Sequence, residues 1–461
     1  MNGQTPVQVE DGELALLTDL YQLTMLQAYW KEEMHERATF SLYFRKLPPT
    51  RRFMLACGQQ HAAALASRVR FSAYSLKQLS ETGRFDEAFL HWLAGFRFSG
   101  DIWALPEGTP VFQNEPFLEV DAPIAEAQLL ESLIMNLVQL ETVLASKAVR
   151  IVMAARGRPV VDFGLRRMHG VDAAVRGVRA YRTAGLAGTS NVLGGLRHGL
   201  PLSGTMAHSY VLAHDDERDS FRSFARHYPG TTLLVDTHDT LEGVRKIIEL
   251  MEEEPGLGIS AIRLDSGDLG ILAHRARALL DEAGLDTIGI IASSGLDEHQ
   301  IEALIADDTP IDAFGVGTQM GVSADAPVID LSYKLVEYAG IPRVKHSTGK
   351  INLPGRKQLF RRRDADGTYL GDIIARREES IDGAVPLLVP LVCEGRVDQE
   401  HMAGAERARE RVAQALTQLP ADLRRLDPGE TDYPVELSPA LQRLQSELSL
   451  APLKRKRPRE R

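Results

Sequence analysis

Between residues 159 and 316 the chain repeats one pattern about six times: a short apolar run rich in Val and Ile stops at polar residues and gives way to helical spacing. The runs are 159–163, 202–206, 232–235, 259–264, 287–292 and 311–316, and each predicts a parallel strand. Helices are predicted at 173–183, 241–253, 269–283 and 297–305. Continuously apolar strands alternating with helices require a parallel sheet covered by helices, either a closed barrel or a doubly wound sheet. No Gly-x-Gly-x-x-Gly opens an early helix, and Gly315-Val316-Gly317 comes last. The expected fold is therefore α/β, an irregular TIM-like barrel with its phosphate site after the late strands.

A chain of 461 residues exceeds one typical core, so a companion domain is expected. Residues 1–123 carry β-like stretches at 38–44 and 110–120 around a helical pattern at 75–93, the mark of a smaller α+β domain. The barrel domain is expected over 124–345, opening with one long helix, or two end to end, at 124–155. In 346–461, together with a strand pattern at 331–338, a strand at 357–362 is expected to return to the first domain, followed by a surface helix at 403–419 and a disordered basic tail at 454–461.

A net charge of −10 argues against general nucleic-acid binding and means that an anionic substrate must be held by local positive groups. Cys57 and Cys393 are too few for a disulfide framework and lack zinc-ligand spacing. The N-terminus shows no basic-then-apolar leader, and the longest apolar run, 384–393, contains Pro386 and Pro390 and is about half of what a bilayer-crossing helix needs. A cytoplasmic protein with no membrane partner is expected.

In βα barrels chemistry sits where strands end. Those positions hold Arg166 and Arg167; His208 and Ser209; Asp236, Thr237, His238 and Asp239; Asp265, Ser266 and Asp268; Ser293, Ser294 and Gly295; and Gly315, Gly317 and Thr318. Arginines that hold phosphate or carboxylate in a fork, carboxylates that bind ribose or Mg²⁺, and two small Gly/Ser/Thr turns make the inventory for a sugar phosphate. Asp268, just before a helix, reads equally as its N-cap, which leaves Asp265 as the better ribose candidate. An imidazole can carry a phosphoryl group, but spacing alone does not separate His208 from His238.

Several motifs, in order, resemble the nicotinate phosphoribosyltransferase family. They are Leu17-Thr18-Asp19-Leu20-Tyr21-Gln22, Asp162-Phe163-Gly164-Leu165-Arg166-Arg167, Gly188-Thr189-Ser190-Asn191, Gly204-Thr205-Met206-Ala207-His208-Ser209, Arg263-Leu264-Asp265-Ser266-Gly267-Asp268, Gly315-Val316-Gly317-Thr318 and Pro354-Gly355-Arg356-Lys357-Gln358. The chain departs from the family at His238, where tyrosine is usual, and in a shortened turn at Ser294-Gly295.

The resemblance implies conversion of nicotinate and phosphoribosyl pyrophosphate to nicotinate mononucleotide and pyrophosphate in NAD salvage. ATP hydrolysis would be coupled through a phosphohistidine, a ligase-class reaction with Mg²⁺. His208 is then the phosphorylated residue, with Arg263 and Asp265 beside it in catalysis. Tyr21, Thr205 and Arg263 match nicotinate-contacting positions; Arg166, Arg167, Asp265, Ser294, Gly295, Gly317 and Thr318 are assigned to phosphoribosyl pyrophosphate; Asp265 or Asp268 would hold the metal. A homodimer is implied. The rivals are the same transfer to nicotinamide or quinolinate, a sugar-phosphate aldolase or isomerase, and a catalytically silent NAD-sensing protein.

Overall fold

The computed structural model describes residues 9, 11–345, 352–402, 404–427, 429 and 432–450, so the basic tail at 454–461 lies outside the described residues. The chain divides into two compact units, Met1–Thr142 with Val328–Arg461, and Val143–Pro327. No described helix is long and apolar enough to cross a membrane.

The first unit is built on a seven-stranded antiparallel sheet. Arg37–Phe44 lies between Leu331–Tyr338 and Leu118–Pro123, and Asp101–Ala104 pairs with Val389–Cys393. Lys357–Arg363 belongs to a separate four-stranded sheet, paired with Tyr369–Arg376. Two stretches expected to be continuous are broken, each at a residue with positive φ. The 75–93 pattern forms Ala73–Glu81 and Glu87–Ala94, parted near Gly83 (φ 65°), and the 110–120 stretch forms Pro110–Val111 and Leu118–Pro123, parted near Asn114 (φ 65°). The 124–155 pattern forms two helices end to end, Ile124–Leu129 and Glu131–Ala154.

The second unit carries six parallel strands: β1 (Val160–Asp162), β2 (Gly188–Thr189), β3 (Thr231–Leu234), β4 (Ile259–Leu264), β5 (Gly289–Ala292) and β6 (Ala313–Val316). Their order is β2-β1-β6-β5-β4-β3. Helices Val171–Ala184, Thr240–Glu253, Leu269–Glu282 and Glu298–Ala306 connect them close to the expected bounds. The first and last strands meet, as in a barrel, through the β1–β6 ladder. Among the described residues no ladder joins β2 to β3, so the sheet is a half-barrel rather than a closed ring.

The open seam lies where the 202–206 strand was expected. That segment makes only a bridge between Thr189 and Leu202, with backbone bonds from Thr189 N–H to Pro201 O (2.9 Å) and from Ser203 N–H to Thr189 O (2.9 Å). Pro201 has no N–H to donate and Gly204 has no side chain to bury, so nothing extends the ladder toward β3. Leu202 is left half exposed.

Candidate active site

A pocket of about 840 Å³ lies at the C-terminal ends of these strands and along the seam, with Phe163, Arg166, Thr205, His208, Arg263 and Asp265 in its wall. Arg263 reaches it because Arg263 and Asp265, two positions apart at the end of β4, point to the same side. Arg263 Nη2 pairs with Asp265 Oδ1 at 2.9 Å, Nε donates to Ser293 Oγ (2.8 Å) and Nη1 to Thr205 Oγ1 (2.8 Å). Its guanidinium stands 5.3 Å from the centre of the Phe163 ring. Ser293 Oγ donates in turn to Asp265 Oδ1 at 2.5 Å. A guanidinium has five N–H donors; with three engaged, one remains on each terminal nitrogen.

His208 opens the short helix His208–Leu212 and is part exposed. Its Nδ1 bonds Thr237 Oγ1 at 3.1 Å, and its Nε2 lies 4.0 Å from Asp265 Oδ2. His238, inseparable from it by spacing, is exposed and lines no part of the pocket. Asp162 braces the floor: Oδ1 accepts from Gly164 N–H (2.7 Å) and Oδ2 from Thr189 Oγ1 (2.6 Å). Burial pushes its carboxyl above the usual range against the pull of those two donors.

Several expected residues sit elsewhere. Arg166 lines the pocket, whereas Arg167 is exposed and does not. Ser294 (φ 102°) and Gly295 (φ 64°) form a left-handed turn after β5, and Gly317 and Thr318 follow β6; all four lie at the same strand ends but outside this pocket. Close approach also constrains the late turn, because a Cβ at Gly315 would overlap the Phe163 ring. Asp268 is an N-cap, accepting from Ile271 N–H at 3.0 Å, and stays off the pocket. Tyr21 belongs to the first unit, 48% exposed beside Asp19, Glu131 and Asn136. Burial, reinforced by Glu131 and Asp19, keeps its hydroxyl protonated above the ordinary phenol range.

The pocket also uses Thr237 and Ser293, strand-end residues whose side-chain partners no sequence pattern reveals. No described lysine lines it, so its wall offers no amine for a Schiff base.

A parallel α/β half-barrel whose strand ends carry an arginine fork, a histidine and a carboxylate around one pocket has the layout of a barrel-type enzyme's active site. Comparison narrows it. The family model described as the nicotinate phosphoribosyltransferase N-terminal domain matches residues 16–139, and that of the nicotinate phosphoribosyltransferase family matches residues 159–340. The chain belongs to this family. It is 50% identical over 425 residues to nicotinate phosphoribosyltransferase pncB2 of Mycobacterium tuberculosis, covering 92% of this chain and 91% of the relative. With the Bacillus subtilis nicotinate phosphoribosyltransferase it shares 38% identity, covering 81% and 78% of the two chains. The crystal structure of human nicotinic acid phosphoribosyltransferase superimposes with a TM-score of 0.82 at 26% identity, covering 94% of this chain and 99% of that one.

Proposed function

We propose that this chain transfers the phosphoribosyl group of phosphoribosyl pyrophosphate to nicotinate, giving nicotinate mononucleotide and pyrophosphate in NAD salvage, with ATP hydrolysis coupled through a phosphate on His208. The observation that carries the reading is Arg263, fixed by Thr205, Ser293 and Asp265 with two N–H groups to spare. A carboxylate offers an acceptor oxygen to each spare N–H of the fork, whereas an amide offers one oxygen and sets its own NH2 donors against the other N–H.

In the transfer, the pyridine nitrogen attacks the anomeric carbon with its own lone pair while the bond to pyrophosphate breaks. No strong protein base is required. Asp265 Oδ2 makes no hydrogen bond to a described residue and faces the pocket, so it is the oxygen available to a ribose hydroxyl or to Mg²⁺. Mg²⁺ suits this hard oxygen donor better than it suits Asp268, which is spent on a cap, and when bound it neutralises diphosphate charge. Arg166, from the pocket wall, and Arg167, Ser294, Gly295, Gly317 and Thr318, from the neighbouring turns, are assigned to the phosphates. Thr205 and, by its motif, Tyr21 are assigned to nicotinate.

With Nδ1 of His208 engaged by Thr237, Nε2 is the nitrogen left to attack the γ-phosphorus of ATP, releasing ADP. Phosphorylation brings up to about two negative charges beside Arg263 and Asp265, which reorganises substrate binding until water cleaves the P–N bond. Completion of the half-barrel into a TIM-like barrel, a homodimer and a cytoplasmic location belong to the same reading.

The test is purified protein with radiolabelled nicotinate and phosphoribosyl pyrophosphate, with and without ATP. Labelled mononucleotide in both, more with ATP, is expected; none in either overturns the proposal.

A further inference from the structure

Asp236 and Thr237 follow β3, an edge strand with β4 on one side and the open seam on the other. Consecutive side chains at a strand end point in opposite directions, and here the two reach different pocket-lining residues, Asp265 and His208. Asp236 Oδ2 accepts from Asp265 N–H (3.1 Å) and Ser266 Oγ (2.5 Å), across to the β4 turn. Thr237 Oγ1 bonds His208 Nδ1 on the seam side (3.1 Å).

Asp236 is only 9% exposed, and its Oδ1 has no partner among the described residues. An orphaned buried carboxylate oxygen is destabilising. The side chain tolerates that penalty for what Oδ2 does, which is to tie down the main chain of Asp265 itself. A histidine ring, likewise, is fixed in tautomer and direction by the partner of its other nitrogen.

We infer that the Asp236-Thr237 dipeptide is a positioning clamp that sets the 4.0 Å separation between His208 Nε2 and Asp265 Oδ2. Asp236 holds the carboxylate side and Thr237 the imidazole side. Because adjacent Cα atoms are fixed at about 3.8 Å, the two halves move together. The clamp is therefore the physical link between phosphate on His208 and the sugar-phosphate contact at Asp265. Neither residue touches substrate in this account; both act through the groups they hold. The inference rests on the phosphoribosyl-transfer reading above.

The experiment measures KM for phosphoribosyl pyrophosphate, KM for nicotinate and the rate of phosphate capture from γ-labelled ATP in the full-length protein. Wild-type protein is assayed first, since failure there sinks the functional reading and not the clamp. Hydrogen bonds to charged groups convert to about 10- to 100-fold. Asp236→Ala is therefore expected to raise KM for phosphoribosyl pyrophosphate by about tenfold or more, with KM for nicotinate changed less than about twofold. Asp236→Asn keeps an acceptor oxygen for the 265–266 turn and should recover most of that loss. Thr237→Val should slow phosphate capture about tenfold, and Thr237→Ser should restore it.

Ser266 is exposed, so Ser266→Ala will fold even if Asp236→Ala does not. It should raise the same KM a few-fold. An Asp236→Asn as damaged as Asp236→Ala, equal rises in both KM values, or a Ser266→Ala and Thr237→Val pair indistinguishable from wild type would overturn the clamp.

Discussion

Arg361 with Asp372, in the four-stranded sheet of the first unit, and Arg263 with Asp265, at a strand end of the second, are the same ion pair in different surroundings. Arg361 and Asp372 are 1% and 0% exposed. Arg361 Nη2 meets Asp372 Oδ2 at 2.6 Å and Pro110 O at 2.9 Å, its guanidinium stacks 4.5 Å from the Tyr369 ring, and Tyr433 donates to Asp372 Oδ1 at 2.8 Å. Arg263 and Asp265 are 13% and 26% exposed and keep two N–H groups and one carboxylate oxygen uncommitted. Near-complete burial and a carboxylate with both oxygens engaged make the first pair part of the core. Incompleteness makes the second pair a site.

The largest effect should come from breaking the buried pair. Arg361→Met strands Asp372 beside Glu115 and should cost about 3–5 kcal/mol in urea unfolding, whereas Arg263→Met, beside an open pocket, should cost only about 1 kcal/mol. Equal losses would erase the contrast. In function the order reverses. Arg263→Ala should weaken nicotinate binding about 10- to 100-fold and phosphoribosyl pyrophosphate binding far less, read from the two KM values; equal losses would assign the arginine to the phosphates.

A smaller effect sharpens the buried side. Burial, then Asp372, holds the Glu115 carboxyl well above the usual range. A raised folded value means that stability is fully present below the unfolded value of about 4.3 and is lost as pH rises through the folded one. Urea midpoints of the wild type should therefore fall as pH rises from that value, and Glu115→Gln, which imitates the neutral acid, should flatten the fall; a parallel decline in the variant would refute the assignment. The smallest effect concerns one neutral contact: Thr205→Val should raise KM for nicotinate by about three- to tenfold, and no change would leave Thr205 a mere neighbour of Arg263.

The sequence made the strands around the pocket legible because buried parallel strands are written as uninterrupted apolar runs, and 259–264 emerges with the bounds expected of it. It misread 202–206, whose apolar residues serve the seam instead of a ladder. Apolarity alone cannot say whether a neighbouring strand is present to pair with. Listing strand ends brought Arg166, His208 and Asp265 to one wall, whereas Arg263, inside the 259–264 run, was singled out only by the family motif. The partner of the histidine stayed hidden, since 57 residues part His208 from Asp265 and only the fold brings them within 4.0 Å. The same holds for Asp236 and Thr237, which as residue types look like ordinary turn-formers.

The central claim is that the incomplete pair works beside a phosphorylated His208, and phosphate capture tests it most directly. The protein is incubated with ATP labelled at its γ-phosphate, and acid-labile, base-stable label is counted on wild type, His208→Ala and His238→Ala. The account expects label on wild type and His238→Ala, and none on His208→Ala, which should still carry out slow ATP-independent transfer. Label retained by His208→Ala would contradict it and move the phosphate to another residue.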